Sequence, residues 1–422
     1  MPKNSFDVMV AGGGPAGATA AYSLASAGVD VAILDKATFP RHKPCGGGLI
    51  AKVLQHLPMD VKPVIRNSMH GICFTYQFGD RFAKRHHEPL VYGTLRTEFD
   101  HYLVEQAVRS GAALFDGTRV EGFEQNGKVR VSTNVGSFSC RVLIGADGAN
   151  GVVRRALNDE QAFFNQAGLS CEIERDRIIE ANSDNDLMRV DWGTLPSGYA
   201  WIFPKGDFLN IGVGAPVAIG KRLKSYLCDF LANERILRAE RIDLEQLNVS
   251  GHKLPSFTER TRLVDRNVLV IGDAAGLIEP LTGDGISYGV HSAKLAADVI
   301  VRWLNGGCAD LSEYREAVLR EIVPEITYTR KLLAFFNTFP KLVHEVVRRD
   351  DRVWRTFCRV LRGEESYLLL RRKNMGPAYV LAKFVDRFTL SYEARRLRDP
   401  RAAETIFQWA VQLILRLIGG LI

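Results

Sequence analysis

The feature that most constrains the fold is a glycine-rich turn between an apolar strand and a helix at the start of the chain. Residues 6–11 (FDVMVA) are typical of a buried parallel strand, and residues 18–27 are typical of a helix rich in small side chains. The turn has GxGxxG spacing, and a second strand over residues 29–34 ends at Asp35. Its glycines are Gly12, Gly14 and Gly17.

This order of elements predicts a dinucleotide site. Gly12 permits the tight turn, Gly14 lets a pyrophosphate approach the backbone, and Gly17 lets helix and strand pack closely. The helix N-terminus offers free N–H groups to the phosphates, and Asp35 is placed to accept hydrogen bonds from ribose hydroxyls. The alternative is a glycine-rich turn in an ordinary α/β domain.

Two later segments decide between NAD and FAD. Residues 267–271 (NVLVI) form another buried strand that leads into Gly272-Asp273, where a carboxylate can face a polyol such as the ribityl chain of FAD. Gly283 and Gly285 then precede a helix predicted over residues 286–303, whose dipole favours negative charge on a reduced flavin. The third segment, residues 142–148, ends in Asp147-Gly148. Together they predict FAD.

In this order and spacing, the three segments resemble those of the p-hydroxybenzoate hydroxylase-like FAD superfamily, over about residues 5–330. Within it the chain resembles the geranylgeranyl reductase family. Two segments carry that resemblance: residues 41–48 (RHKPCGGG) and residues 196–205 (PSGYAWIFPK), which matches a Y-x-W-x-F-P pattern. The fold class it implies is mixed α/β (α+β), with a Rossmann-type FAD-binding domain, an inserted antiparallel-sheet substrate domain and a C-terminal helical region.

The resemblance also implies roles for individual residues. It places Cys45 beside the flavin, makes Arg96 a flavin-contacting arginine, and assigns catalytic roles to Cys45, Tyr199 and Trp201. The expected cofactor-binding residues are Gly12, Gly14, Ala16, Gly17, Asp35, Lys36, Cys45, Gly46, Arg96, Asp147, Gly148, Gly272, Asp273, Gly283, Gly285 and Ile286. The expected substrate-cavity residues are Gly47, Tyr199, Trp201, Phe203 and Pro204, and no metal site is expected.

Two alternatives stay open for these residues. Cys45 could be an ordinary buried thiol, because free cysteine is commonly buried. Tyr199, Trp201 and Phe203 alternate with the period of a strand, so they could equally belong to one face of a packed core strand.

The expected domain organisation is discontinuous. The FAD-binding domain is expected over residues 1–65, 93–165 and 262–325, and the substrate-binding domain over residues 66–92 and 166–261. Residues 188–192 and 209–213 alternate polar and apolar side chains, which favours an antiparallel sheet in the substrate domain. A basic helical region is expected over residues 326–404, and an amphipathic apolar tail helix over residues 405–422.

The charge of the chain is concentrated near its C-terminus. The net charge is +7, and residues 341–404 alone carry 16 Lys/Arg against 9 Asp/Glu. The tail that follows has one narrow polar stripe (Glu404, Gln408, Gln412 and Arg416) on an otherwise apolar helix, which is marginal as a span and typical of a helix in the membrane interface. Residues 341–422 therefore predict contact with anionic lipid, without a nucleic-acid partner; packing of the tail on its own domain or on a second copy is the alternative.

The cysteine pattern and the N-terminus predict a location. Seven scattered cysteines without a CxxC pair favour reduced thiols in the cytosol, and the N-terminal apolar run is too short for a signal peptide. The expected location is cytoplasmic, peripheral to the cytoplasmic face of a membrane.

The resemblance implies an FAD-dependent reductase that saturates C=C bonds of a geranylgeranyl chain on a lipid, quinone, pigment precursor or diphosphate. Cys45, Tyr199 or water would supply the proton, and the rings of Tyr199 and Trp201 would stabilise positive charge on the alkene. Since no second GxGxxG follows, the expected reductant is NADPH binding transiently or a reduced electron-carrier protein. The alternatives are an FAD-dependent monooxygenase or halogenase, a membrane quinone oxidoreductase, and a non-catalytic prenyl-lipid carrier.

Overall fold

The structure is a computed structural model that describes residues 3–178, 185–236 and 244–368. The strands in these residues are β1 (Ser5–Ala11), β2 (Val31–Leu34), β3 (Gly48–Ile50), β4 (Asn67–Met69), β5 (Gly71–Tyr76), β6 (Asp80–Arg85), β7 (Val91–Gly93), β8 (Ala113–Phe115), β9 (Val120–Asn126), β10 (Lys128–Thr133), β11 (Gly136–Gly145), β12 (Phe163–Glu174), β13 (Leu187–Trp192), β14 (Tyr199–Lys205), β15 (Phe208–Pro216), β16 (Ser250–Phe257), β17 (Val264–Asp265) and β18 (Val268–Val270). The helices are α1 (Pro15–Ser26), α2 (Arg96–Arg109), α3 (Val152–Leu157), α4 (Leu223–Asn233), α5 (Ile286–Leu304), α6 (Ser312–Glu321), α7 (Val323–Thr338), α8 (Pro340–Arg349) and α9 (Asp351–Leu361).

The first sheet has the strand order β17-β18-β11-β1-β2-β8, with the β9–β10 hairpin attached to β11. Its centre is parallel: β1 lies between β11 and β2, in a register that pairs Val10 with Ile144 and Ile33. The central strands are buried, as expected of parallel strands covered by helices. The parallel strands at the centre of this sheet confirm the predicted Rossmann-type domain.

The helix α1 begins earlier than the sequence predicts, at Pro15 instead of residue 18. A proline is favoured at the first helical position because its missing N–H would have no partner there. The helix packs against α5 and α2. Its small side chains permit a close approach, since Ala18, Ala20 and Ala21 are fully buried.

The second sheet has the order β16-β12-β15-β14-β13-β5-β6. Its strands pair antiparallel, as predicted, except that β13 and β5 run parallel, with Phe74 opposite Val190. The face covered by α4 forms a core that includes Ala200, Ile202 and Ile211. The other face carries the larger side chains of β5, β13 and β14, described below.

The C-terminal helices α7, α8 and α9 cover the open end of the second sheet. Trp354 and Leu361 of α9 pack with Phe74 and Trp192 of the sheet. Within the described ranges no helix combines the length and the apolar character needed to cross a membrane. The predicted tail helix over residues 405–422, and the basic region beyond residue 368, lie outside the described residues.

Candidate active site

A single cavity of about 1210 Å³ lies between the two sheets and the C-terminal helices. It exceeds the roughly 300–1,000 Å³ of ordinary ligand pockets, which allows two ligands side by side. One part, the cofactor lobe, is lined by Gly12, Asp35, Asp147 and Asp273. The other part, the apolar lobe, is lined by Ile72, Phe74, Met188, Trp192, Phe336 and Trp354.

Most of the residues predicted for the site line this cavity, but two do not. Gly17 lies beneath the turn, where a Cβ atom would come within 1.9 Å of the Gly12 carbonyl oxygen. Pro204 is buried away from the cavity, so its predicted place in the substrate cavity is wrong. The reason is strand alternation: Tyr199, Trp201 and Phe203 share one face of β14, and the next residue belongs to the other face.

The glycine turn has the geometry of a phosphate cradle. Gly12 has a φ of +106°, and a Cβ there would lie 2.4 Å from the Ala146 carbonyl oxygen. Gly14 immediately precedes α1 without a side-chain cap, and the nearest atom to a Cβ there is Arg41 Nη2 at 3.7 Å. The open space over Gly14 and the free N–H groups of the first helical turn suit a pyrophosphate.

Asp35 holds the turn in shape. Its Oδ2 accepts a hydrogen bond from the Gly13 N–H at 2.8 Å, and its Oδ1 accepts one from the Ala37 N–H at 3.0 Å. Arg41 Nε lies 3.5 Å from Oδ2. A carboxylate oxygen can accept more than one hydrogen bond, so these contacts leave capacity for a ribose hydroxyl.

Asp147 offers an independent test of whether FAD fits. Its Oδ2 accepts a hydrogen bond from the Val153 N–H at 2.7 Å. Its Oδ1 is buried at the cavity wall without a hydrogen-bond partner among the described residues, and burial raises the pKa of the carboxyl to about 6. A buried polar atom of this kind requires a partner, and a polar group of the cofactor is a suitable one. The residues present therefore fit FAD.

The loop around Cys45 is held by the second sheet. The Gly47 N–H donates to Cys45 Sγ at 3.3 Å, and Asn210 Nδ2 donates to the Cys45 carbonyl oxygen at 3.1 Å. The φ of Gly47 is +61°, and a Cβ at this position would lie 2.3 Å from Lys205 Nζ. The thiol, which is only partly exposed, thus faces the cavity from a fixed loop.

Arg96 lies at the start of α2, at the cavity wall. It forms a bidentate ion pair with Asp100, with N–O distances of 2.7 and 2.8 Å, and Arg41 Nη1 approaches the same carboxylate at 3.1 Å. Burial disfavours the Arg96 cation, but Asp100 and a hydrogen bond with the Cys45 thiol more than offset this and raise its pKa. The cation is therefore permanent and in contact with Cys45.

The aromatic wall of the cavity is formed by β14. The rings of Tyr199 and Trp201 are 5.6 Å apart, and those of Trp201 and Phe203 are 6.1 Å apart. The indole of Trp201 lies over Gly212 of the neighbouring strand, and its Nε1 donates to Asn210 Oδ1 at 2.9 Å. Tyr199 and Phe203 also pack against the core of the second sheet, so the same strand is both a cavity wall and a core strand.

Tyr199 is poorly suited to release its proton. Its hydroxyl donates to the Thr282 carbonyl oxygen at 3.0 Å, and burial raises its pKa. Gly283 and Gly285 bring this segment close to the cavity, since a Cβ at Gly285 would lie 2.9 Å from Asp273 Oδ1. The N-terminus of α5 follows at Ile286 and faces the same cavity.

Comparison with known proteins identifies the chain. Residues 5–173 match the FAD binding domain family, and residues 171–248 match the geranylgeranyl reductase catalytic domain family. A menaquinone reductase of Mycolicibacterium smegmatis is 33% identical over 80% of this chain and 86% of its own length. A geranylgeranyl diphosphate reductase of Rhodobacter capsulatus is 31% identical over 75% of this chain and 80% of its own length. The chain belongs to the geranylgeranyl reductase family.

Solved structures agree on the fold. A geranylgeranyl bacteriochlorophyll reductase-like protein of Thermoplasma acidophilum superposes with a TM-score of 0.68 at 22% identity, covering 78% of this chain and 88% of that one. The flavin-dependent brominase Bmp2 superposes with a TM-score of 0.65 at 19% identity, covering 85% of this chain and 94% of that one. At these identities the likeness shows the shared fold alone. As a geranylgeranyl reductase family member, the chain is an FAD-dependent oxidoreductase.

Three polar residues of this family member went unassigned in the sequence. Lys43 lies within the segment that carries the resemblance, Asn210 is an isolated polar residue on β15, and His252 stands beside Lys253 on β16. Lys43 Nζ lies 2.9 Å from His252 Nε2, and that nitrogen lies 3.4 Å from Asp273 Oδ2. The Lys in the K-x-C-G pattern was the available signal for Lys43. Asn210 and His252 lie on strands outside any recognised pattern, so they carried no comparable signal.

Proposed function

We propose that this protein saturates C=C bonds of a geranylgeranyl chain that lies in the apolar lobe, next to FAD in the cofactor lobe. The observation that carries the proposal is the continuity of the two lobes in one cavity, with the aromatic residues of β14 at their junction. An apolar lobe of this kind binds a hydrocarbon chain through burial of its surface. The relatives named for reduction of geranylgeranyl diphosphate and of menaquinone support the same substrate class.

Each saturated bond requires two electrons and two protons. Bound FAD, once reduced, supplies the electron pair. The protein positions the alkene, excludes water and supports positive charge that develops on the more substituted carbon. The faces of Tyr199 and Trp201 suit this role because aromatic rings attract cations. Cys45 remains the proposed proton donor, because it faces the cavity and the Tyr199 proton is held by a backbone carbonyl.

The proposal predicts that narrowing the apolar lobe changes the preferred chain length. Val353 of α9 lines the lobe and is partly buried. We expect Val353→Trp to lower kcat/KM on a geranylgeranyl substrate by about tenfold or more, since occupied pocket volume is worth roughly 10–200-fold per lost group. A geranyl substrate should lose much less. The measurement is steady-state kinetics on both chain lengths with the FAD absorbance of each variant as the check on folding.

The matched control is Val217→Trp, which makes the same substitution at an exposed valine away from the cavity. It should leave both substrates unaffected. Equal losses on the long and short chains in Val353→Trp would show that the lobe does not hold the chain.

We further propose that the protein binds peripherally to the cytoplasmic face of a membrane. The supporting observation is the outer face of α8 and α9, which exposes Lys341, Arg349, Arg352 and Arg355 while the inner face packs on the second sheet. Exposed cations near an anionic surface contribute roughly 1 kcal/mol each to binding.

We expect the double variant Lys341→Glu/Arg355→Glu to bind vesicles of phosphatidylserine and phosphatidylcholine at least tenfold more weakly than the unmodified protein, because it reverses two charges. Co-sedimentation measures this. Lys128→Glu, a charge reversal at an exposed position of the hairpin strand β10, is the control and should bind more tightly than the double variant. Indistinguishable binding of the two variants would contradict the membrane role of this face.

The electron donor is proposed to be NADPH or a reduced electron-carrier protein. Anaerobic mixing with NADPH distinguishes them, because NADPH as the direct donor should bleach the flavin absorbance within the turnover time. Absence of bleaching would favour a carrier protein.

A further inference from the structure

Lys43 occupies an unusual position in the cavity. It lies on the loop between β2 and β3, two residues before Cys45, and lines the cavity together with His252 and Asp273. Its Nζ is 2.9 Å from His252 Nε2 and 3.1 Å from His252 Nδ1, so the ammonium contacts the imidazole itself. Asp273 Oδ2 lies 3.4 Å beyond His252 Nε2. Three separate segments of the fold therefore converge on one cation.

Charged and titratable side chains surround Lys43 on four parts of the fold. Its own loop carries Arg41, His42 and Cys45, α2 contributes Arg96 and Asp100, β16 contributes His252, and the turn after β18 contributes Asp273. The buried ammonium of Lys205, which pairs with the exposed Glu172, lies behind Gly47. Burial lowers the pKa of Lys43 to about 8; Asp273 opposes this shift and Arg96 reinforces it. In contrast to the paired Arg96, Lys43 can therefore change its charge within an accessible pH range.

We propose that Lys43 compensates the negative charge that the cavity gains when the bound cofactor is reduced, and that above neutral pH it does so by taking up a proton. The basis of this assignment is the position of Lys43 on the Cys45 loop, where its Nζ contacts His252 and His252 in turn contacts Asp273. Charge compensation is not among the roles that the sequence analysis assigns to the site residues. The proposal depends on FAD binding and is independent of the substrate.

The balance of charge is simple. Uptake of two electrons and one proton by FAD leaves one additional negative charge in the cavity. Below about pH 8 Lys43 is already an ammonium and neutralises that charge. Above it, Lys43 begins as a neutral amine, and the new negative charge raises its proton affinity, so one solvent proton binds at Nζ as the electrons arrive. Reduction then takes up two protons for two electrons.

The test is the midpoint potential of the FAD-loaded full-length protein, measured anaerobically against reference dyes between about pH 6 and about pH 10. One additional proton per two electrons makes reduction tenfold less favourable per pH unit, which is about 30 mV per pH unit. For the unmodified protein, we expect the slope of the midpoint potential against pH to become steeper by this amount above about pH 8. Lys43→Arg keeps the cation but cannot titrate in this range, so its line should lack the additional slope.

Lys43→Met removes the cation altogether. In this variant the oxidised state of the bound FAD should be favoured about tenfold more than in the unmodified protein at pH 7. That corresponds to a midpoint potential lower by about 30 mV. Lys253→Met is the matched control, because Lys253 is adjacent to His252 on β16 but has a side chain that is 44% exposed and paired with Glu160. Its midpoint potential should equal that of the unmodified protein at every pH. The proposal is overturned if Lys43→Arg retains the additional slope, or if Lys43→Met and Lys253→Met have equal potentials.

Discussion

Gly17→Ala is expected to yield a protein that retains less than about a tenth of the normal FAD and unfolds more easily. A Cβ at this position would lie 1.9 Å from the Gly12 carbonyl oxygen and 3.0 Å from the Ala146 Cβ, so α1 must move away from the turn. Overpacking of this kind costs about 1–3 kcal/mol or more. The displacement also moves the N–H groups of the first helical turn, on which the phosphate cradle depends. FAD content per polypeptide and urea denaturation measure the two effects.

Gly14→Ala separates cofactor binding from folding. The backbone at Gly14 has a φ of −75°, which alanine adopts readily, and its Cβ would meet no atom closer than 3.7 Å. The free energy of unfolding of the cofactor-free variant should therefore lie within about 0.5 kcal/mol of that of the cofactor-free unmodified protein, as is usual for a substitution that disturbs no contact. FAD affinity should nevertheless fall, because the added methyl group occupies the space of the pyrophosphate. Full FAD affinity in Gly14→Ala would contradict the placement of the phosphates over this turn.

Arg96→Met is expected to lower the free energy of unfolding by about 3–5 kcal/mol, the usual cost of leaving a buried charge without its partner. Asp100 is fully buried and loses a bidentate partner. Arg41 remains 3.1 Å from the same carboxylate, which favours the lower end of the range. Urea denaturation at equilibrium measures the change.

The matched control for this substitution is Arg66→Met. Arg66 pairs with Glu98 of the same helix, but both side chains are about one-third exposed. Such pairs contribute about 0–1 kcal/mol. Equal losses in Arg66→Met and Arg96→Met would mean that the buried cluster of Arg96, Asp100 and Arg41 is not the stabilising element that its geometry indicates.

The parts of the fold that the sequence predicts best are those with a local physical cause. The strands β1 and β18 each follow from a short apolar run that leads to a glycine, and the helix α5 begins directly after Gly285. Their limits differ from the prediction by about one residue. The start of α1 was misplaced because its first turn contains Pro15 and Gly17, the two residue types that are least favourable inside a helix.

Long-range order could not be predicted in the same way. The parallel pairing of β5 with β13 joins strands separated by more than a hundred residues, and nothing in either strand specifies its neighbour. Asn210 and His252 acquire their roles from the order of the strands, because Asn210 of β15 holds the Cys45 loop and His252 of β16 lines the cavity. Pro204 illustrates a different error. The Y-x-W-x-F-P pattern identified the correct strand, but side chains alternate along β14, so Pro204 at the end of the pattern lies on the face away from the cavity.

The most direct test of the proposed reductase function is an anaerobic reaction of the FAD-loaded, chemically reduced protein. Geranylgeranyl diphosphate, a digeranylgeranylglycerophospholipid and menaquinone are added in separate vessels, and flavin reoxidation is followed while products are weighed by mass spectrometry. We expect at least one of them to gain pairs of hydrogen atoms in step with flavin reoxidation, which also identifies the head group. If none is reduced, and admission of O2 instead yields a product that has gained oxygen, the function is that of a monooxygenase on the same fold.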